Sequence, residues 1–427
     1  MSDFTTSSNA PAVSWRRGFW CLMATQFQGA FSDSVLRWLV IYLVIAKNLP
    51  KTELDALVSD SGMYFAIPFL LLSMFGGWMA DRFSKRTVMV GVKVMEMGIM
   101  IFAALALGSG RTALQLAAIC LMGVHSAFFA ASKYGSLPEL VPTSRLSWAN
   151  GIIEMLTFLA AIFGTLAAAW MAQHFAESPS QAGYILLALA IVGWLASLGI
   201  TKLPAADPKK PLNLNFLAEL WREFAWMKQD RDLWRANFGN TGFFFIAALL
   251  QMNIVLYAEQ VFHLGETENS ALQVALAIGM ALGSILAGKL SGDHVEYGLI
   301  PLGAILMAAM GFWLGIDGIS RTAFTIGLAV LGIGGGCFIV PIAAVLQHRP
   351  PADRKGSVQG AASWLSWVGI AGAALVQKEL NIQLGWSPGQ VFWFCASCAL
   401  VAGIYVAKTR PTALPSMLSR WKSGYLS

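Results

Sequence analysis

The segment Gly76-Gly77-Trp78-Met79-Ala80-Asp81-Arg82-Phe83-Ser84-Lys85-Arg86 decides how the chain is read. It follows an apolar run from Val58 to Ala80 and precedes another from Val88 to Leu107, which makes it a short loop between two hydrophobic helices. The small residues Gly76 and Gly77 permit a neighbouring helix to approach closely. Asp81 is suited to accept from backbone donors or a basic side chain across that approach. Arg82, Lys85 and Arg86 hold the loop at one face of a membrane.

The composition agrees. Of 427 residues, 56% are hydrophobic and only 12% charged, whereas soluble domains carry about 25% charged residues. Apolar stretches long enough to cross about 30 Å of hydrocarbon recur along the whole length and leave no room for a sizeable soluble domain. Met1 to Ser14 is polar and lacks the pattern of a removable signal peptide. The five cysteines, Cys21, Cys120, Cys337, Cys395 and Cys398, all fall in apolar runs, which argues against a disulfide framework or a zinc site. The formal charge of +6 is scattered over loops and forms no groove for nucleic acid. No metal or cofactor is expected.

Twelve spans are predicted. The first six run from Phe19 to Ala46, Val58 to Ala80, Val88 to Leu107, Ala113 to Ser132, Ser147 to Gln173 and Ala182 to Leu203. The second six run from Ala236 to Phe262, Ala271 to Gly288, Leu299 to Ile316, Ala323 to Leu346, Ser357 to Val376 and Gln390 to Ala407. The expected organisation is an N-terminal half over 1–203, a cytosolic linker over 204–235 and a C-terminal half with a cytosolic tail over 236–427. The linker, with Trp221 and Trp226 among basic and acidic residues, is expected to hold an amphipathic helix on the membrane surface. With both termini in the cytosol, 22 of the 29 Lys and Arg residues fall in cytosolic segments; Lys47, Lys51, Arg111, Arg321 and Lys378 lie outside, and Arg37 and Lys93 lie within spans.

The chain also repeats itself. At an offset of 209 residues, Gly123, Phe129, Leu137, Pro142, Arg145 and Gly151 meet Gly332, Phe338, Leu346, Pro351, Arg354 and Gly360. At 212, Gly76 and Asp81 meet Gly288 and Asp293. Both matches join topologically equivalent segments, as in a duplicated six-helix unit whose halves rock about a central site.

The loop at Gly76 to Arg86 resembles the signature loop of the major facilitator superfamily. The resemblance implies an all-α membrane protein with twelve transmembrane helices in two six-helix pseudo-repeats, and gating roles for Asp81, Arg82, Arg86 and the repeat-related Asp293. Three further stretches are similar to the bacterial lysophospholipid transporters: Gln26-Phe27-Gln28-Gly29-Ala30-Phe31-Ser32-Asp33, Ala130 to Leu140 with Lys133, and Ala149-Asn150-Gly151-Ile152-Ile153-Glu154. This resemblance implies movement of lysophospholipid to the inner leaflet of a bacterial cytoplasmic membrane, with an acyltransferase or acyl-ligase as a possible partner. It also implies a basic residue in the seventh span, where this chain has Gln251 and Asn253; Arg37 would supply the charge instead.

Gln26, Asp33 and Arg37 share one helical face, and a charge at such depth is usually turned toward the bundle or water. The competing reading is a self-satisfied ion pair between Asp33 and Arg37. Asn150, Glu154 and Thr157 form a second stripe, with Glu154 near enough to the helix end to act as a gate. Lys133 is expected at the inner mouth, either attracting a lipid phosphate or snorkelling. His125 is read as a hydrogen-bonded core residue, and Lys93 with Glu96 as a local pair at the interface. The expected binding set is therefore Asp33, Arg37, Gln26, Lys133, Gln251 and Asn253. Apparent enzyme signals, such as His348 to Asp353 and the glycines at 332, 334 and 336, sit in a repeated loop or an apolar span without the surroundings catalysis needs. Two alternatives stand beside lysolipid transport: proton-coupled efflux of small hydrophobic molecules through Asp33 or Glu154, and a non-transporting partner of an acyltransferase.

Overall fold

The computed structural model describes residues 15–47, 51–264 and 266–422, and among them there are helices and turns but no strand. The segment Met1 to Ser14 and the last five residues of the tail lie outside the described residues. The first six long helices are α1 (Trp15–Ile45), α2 (Lys51–Arg82), α3 (Lys85–Ser109), α4 (Thr112–Leu140), α5 (Leu146–His174) and α6 (Ser180–Leu198). A short α7 (Phe216–Met227) interrupts the connection. The second set comprises α8 (Arg231–Gln260), α9 (Glu266–Leu290), α10 (Leu299–Leu314), α11 (Arg321–His348), α12 (Lys355–Lys378) and α13 (Pro388–Thr409), followed by α14 (Ala413–Lys422).

All twelve predicted spans are helices, and ten are long and apolar enough to cross a membrane by themselves. The other two are α10, with 16 residues, and α12, which carries Gln359, Ser363 and Ser366 on the face that lines the middle of the bundle. Capping residues start several of them. Asp230 accepts from the Asp232 and Leu233 amides at the head of α8, and Ser387 with Gln390 forms a capping box behind Pro388 on α13.

The repeat is structural as well as sequential. A short 3-10 turn at Thr143–Arg145 leads into α5, and the turn at Ala352–Arg354 leads into α12 at the same 209-residue offset. The repeated glycines do equivalent work. A Cβ on Gly123 of α4 would lie 2.5 Å from the Phe65 carbonyl oxygen of α2, and one on Gly332 of α11 would lie 2.3 Å from the Leu276 carbonyl oxygen of α9. Gly151 of α5 meets the Ser284 carbonyl of α9 in the same way, and Gly360 of α12 meets that of Ser73 on α2. The first pair packs helices within a half. The second joins the halves along two seams, α5 on α9 and α12 on α2, where only a missing side chain lets backbones approach.

Both seams are tight at the end of the bundle that carries the basic loops. There Gly77 of α2 faces the Gly356 carbonyl of α12, and Gly288 of α9 faces Ser147 and Trp148 of α5.

Two amphipathic helices cover that end. α7 buries Leu220, Phe224 and Met227 on the bundle and exposes Leu217 and Trp221 on the flank of that stripe. α14, in what reads as a polar tail, buries Met417 completely, and its Arg420 Nη2 lies 2.5 Å from the buried Glu296. α7 also buries a carboxyl group, Glu223, whose Oε2 lies 3.4 Å from Arg354 Nη1 at the head of α12. Burial pushes this carboxyl from an ordinary value near 4.5 up to about 7, with Arg354 and Lys210 opposing the rise. A raised carboxyl pKa means that docking favours the protonated form. Its contribution is complete below the ordinary value and is lost as pH rises through about 7. Amide hydrogen exchange in α7, corrected for intrinsic rates, should therefore be slower at pH 6 than at pH 8, and Glu223→Gln should remove most of that difference. Equal protection at both pH values would contradict the assignment.

Candidate functional site

A cavity of about 290 Å³ lies between the two sets of helices. From the first set, α1 contributes Gln26 and Asp33, α4 contributes His125, Ser126 and Lys133, and α5 contributes Glu154 and Thr157. From the second, α8 contributes Asn240, α11 Gln347, and α12 Gln359, Ser363, Ser366 and Trp367. Every ionisable side chain on its wall thus comes from the first half, and the second half offers neutral amides, hydroxyls and apolar surface.

The polar side chains are held in place by their neighbours. Gln26 Nε2 donates to Thr157 Oγ1 at 2.8 Å, tying α1 to α5. Asp33 Oδ2 accepts from Ser126 Oγ at 2.6 Å, while its buried Oδ1 has no hydrogen-bond partner among the described residues. Glu154 Oε1 accepts from the Tyr134 hydroxyl at 3.1 Å, so Glu154 sits on the cavity wall. Lys133 Nζ stands 4.2 Å from the Tyr134 ring centroid and makes no hydrogen bond or ion pair with a described residue. Glu154 and Asp33 are close enough to act on it electrostatically, but since it forms no direct ion pair its donors remain free for an anionic group of a bound cargo.

The expected binding residues are therefore only partly brought together. Arg37 lies one turn beyond Asp33 without an ion pair to it, and its guanidinium sits 5.8 Å and 6.0 Å from the rings of Trp38 and Phe65. It does not line the cavity. Nor do Gln251, whose side chain is exposed, and Asn253, whose amide donates to the Pro388 carbonyl at 2.9 Å. Position along α8 explains Gln251, which shares the helical phase of Asn240 and Phe244 but lies about 16 Å further along the axis, whereas Asn253 is turned to the other face, toward α13.

Lys93 and Glu96 are not at the membrane interface. Both are fully buried inside the first half, with Nζ to Oε2 2.6 Å apart, and Gln28 bridges them by accepting from Lys93 at 2.7 Å and donating to Glu96 at 2.9 Å. His125 Nε2 lies 3.2 Å from Glu96, outside hydrogen-bond alignment, and its Nδ1 lies 3.4 Å from Ser126 Oγ. A polar chain thus runs from Asp33 on the cavity wall to the Lys93–Glu96 pair.

At the end carrying the basic loops the cavity has a floor. Asn150 Nδ2 donates to Gln347 Oε1 at 3.0 Å, and Gln347 Nε2 returns a bond to Asn150 Oδ1 at 2.7 Å. This reciprocal amide clasp joins α5 to α11. Gln347 and Gln359 carry no charge and were not singled out from sequence, although Gln359 stands at the repeat position of Asn150. On the far side Phe69 stacks on Trp367, with centroids 4.5 Å apart.

Beneath the floor, Asp81 is fully buried and accepts from the amides of Gly356 at 2.6 Å and Ser357 at 3.0 Å, from Ser357 Oγ at 2.8 Å and from Lys210 Nζ at 2.7 Å. It caps α12 from the opposite half. Arg82 donates to the Lys210 carbonyl and Arg86 to that of Leu198. Asp293 does not mirror Asp81. It is exposed, and the equivalent seam closes by backbone packing and by a bond from Ser147 Oγ to the His294 carbonyl at 3.2 Å.

The sequence profile of the Major Facilitator Superfamily matches residues 22–375. The chain belongs to that superfamily. Among curated relatives, the lysophospholipid transporter of Shigella boydii serotype 4 is 29% identical over 360 residues, covering 78% of this chain and 81% of the relative. That of Escherichia coli O157:H7 is 28% identical over the same lengths. Among solved structures, a human organic anion transporter superposes with a TM-score of 0.76 at 15% identity, over 92% of this chain and 99% of its own. The E. coli fucose:proton symporter superposes with a TM-score of 0.74 at 13% identity, over 92% and 98%. The protein is a multi-pass membrane transporter, and its cavity lies between halves that must part at one end or the other to exchange cargo.

The clasp ties the two halves together at the basic-loop end. Asn150→Ala leaves the Gln347 amide buried without its partner, at a cost of about 1–3 kcal/mol, whereas removing both amides with groups of similar shape is nearly neutral. Asn150→Ala should lower the thermal midpoint of the purified protein, and Asn150→Leu with Gln347→Leu should recover most of it. A single variant as stable as the parent would show that the clasp is not held.

Proposed function

We propose that the cavity receives the headgroup of a lysophospholipid, and that the protein moves this lipid across the cytoplasmic membrane toward the inner leaflet by alternating access. The observation that carries the reading is Lys133, an ammonium on the cavity wall that makes no direct hydrogen bond or ion pair with a described residue and keeps its donors free. Phosphate is the group that would complete it, and Asp33 and Glu154 lie on the same wall to accept from hydroxyl or amine groups of the headgroup. The cavity is at the small end of the range for ligand pockets, about 300–1,000 Å³, so it suits a headgroup and glycerol. The acyl chain would run toward Phe65, Phe69 and Trp367. The similarity to lysophospholipid transporters supports the same cargo.

The distribution of basic residues supports a cytosolic position for the loop end in a bacterial cell, with both termini inside. The chain is then closed toward the cytosol by Asp81 and the Asn150–Gln347 clasp. An acyltransferase or acyl-ligase acting at the inner leaflet is the class of partner that would consume the delivered lipid. The polar chain from Asp33 through Ser126 and His125 to Glu96 favours a second reading, proton-driven efflux of a small hydrophobic molecule.

Reconstituted protein should move labelled lysophospholipid between leaflets faster than empty vesicles do. Lys133→Gln should slow that movement by about tenfold, the loss expected for one charge-assisted contact, and thermal unfolding checks that the variant is folded although Glu154 and Asp33 lose a nearby cation. Parental lysolipid movement by Lys133→Gln would remove the headgroup assignment. Proton-driven efflux of small molecules without lysolipid movement would establish the second reading.

A further inference from the structure

A second cavity of about 320 Å³ lies outside the central one, on the face of the C-terminal half turned away from the N-terminal half's charged wall. Its walls are the start of α8 and the end of α13, and its floor is α11, where Phe338, Ile342 and Val345 are buried. α11 separates the two cavities: Ile339, Ala343 and Leu346 on its other side line the central one. The outer rims are half exposed, with Phe238 at 52% and Tyr405 at 51%. From Cys398 to Thr409 the groove follows α13 for roughly 16 Å at 1.5 Å per residue.

One end of the groove is charged. Asp232, Arg235, Tyr297, Thr409 and Arg410 gather there, at the same end of the bundle as the basic loops. Arg410 Nη2 lies 2.5 Å from Asp232, Arg349 Nη2 lies 3.3 Å from it, and Arg235 Nη1 only 3.6 Å. Arg349 is otherwise held by Asp230 at 2.5 Å. Three guanidiniums therefore share two carboxylates and leave one positive charge uncompensated. Arg235, with the longest contact, keeps most of its donors unused.

We propose that this groove binds an anionic diacyl phospholipid of the surrounding leaflet. One acyl chain lies between Phe238 and Tyr405 over Ile342, and the phosphate is held by Arg235 and Arg410. The charge at the mouth selects an anion, the apolar trough selects a chain, and the open outer rim leaves space in the bilayer for a second chain. The occupied groove buttresses α11, which carries Gln347 of the clasp. This site is independent of the cargo assignment for the central cavity.

The test is native mass spectrometry of the purified protein released from detergent containing either phosphatidylglycerol or phosphatidylcholine. The parent should retain phosphatidylglycerol in preference to phosphatidylcholine. Arg235→Gln should weaken that retention by about tenfold, Arg235→Lys should keep most of it, and Ala402→Trp, which fills the trough without changing charge, should abolish it. Ala343→Trp, which fills the central cavity instead, should leave it unchanged. Thermal unfolding in lipid-free detergent checks that each variant is folded, and the charge and trough variants report independently. Equal retention of both lipids, retention insensitive to Ala402→Trp, or loss in Ala343→Trp alone would each overturn the proposal.

Discussion

A carboxylate buried between two halves of a membrane protein has to find its donors in the opposite half or abandon its charge, and Asp81 finds four. Two are the first free amides of α12, one is the Ser357 hydroxyl, and one is the ammonium of Lys210 from the connection between the halves. No water or lipid could replace that set while the halves stay in contact, and stripping a buried charge of its partners costs several kcal/mol. The rest of the closed end follows from this constraint. α12 must begin at Lys355 to present its amides, Gly77 and Gly356 must lack side chains so that the backbones meet, and the connection must fold back to bring Lys210 to the seam. Above it, the clasp of Asn150 and Gln347 closes the floor with neutral groups, which separate at lower cost than a charge.

The two halves divide the labour of the cavity unequally. Asp33, Lys133 and Glu154 all stand on the N-terminal half, where Ser126 holds Asp33 and Tyr134 contacts both Lys133 and Glu154, with the buried cluster of Lys93, Glu96 and Gln28 behind them. The C-terminal half presents to the cavity amides, hydroxyls and aromatic surface without an ionisable group. A half that grips and a half that slides is a workable arrangement for rocking, because the charged groups keep their surroundings as the other wall moves.

The spans and the repeat were legible because hydrophobic length and small-residue spacing are local properties. Gly123 with Gly332 and Gly151 with Gly360 mark packing sites that any reader of the offset finds, and the glycines and Asp81 in one loop mark the seam. The cavity was only half legible. Asp33 and Lys133 stand out as charges in apolar helices, whereas Asn240, Gln347 and Gln359 are neutral and resemble ordinary helix residues. Arg37 shares a stripe with Asp33, yet a long side chain at the next turn points beyond the cavity to the rings of Trp38 and Phe65. Lys93 and Glu96 sit in a helix that lies behind α1, and depth within a half is a tertiary property that periodicity does not report. Asp293 matches Asp81 by offset alone; it is exposed, Ser147 bonds the His294 carbonyl instead, and the Lys210 that completes Asp81's donors comes from a connection that the second half lacks.

The central claim is that Asp81 holds the basic-loop end shut. It is tested most directly by the distance across that end, measured by electron–electron resonance between spin labels on cysteines at Phe83 and Asp293, both exposed and on opposite halves. The parent should give a distribution dominated by one short distance. Asp81→Asn, which keeps the shape but loses the charge, should weaken closure by about 2 kcal/mol, as expected for hydrogen bonds to a charged group, and add a clearly populated longer distance. An unchanged single distribution in Asp81→Asn would contradict the account.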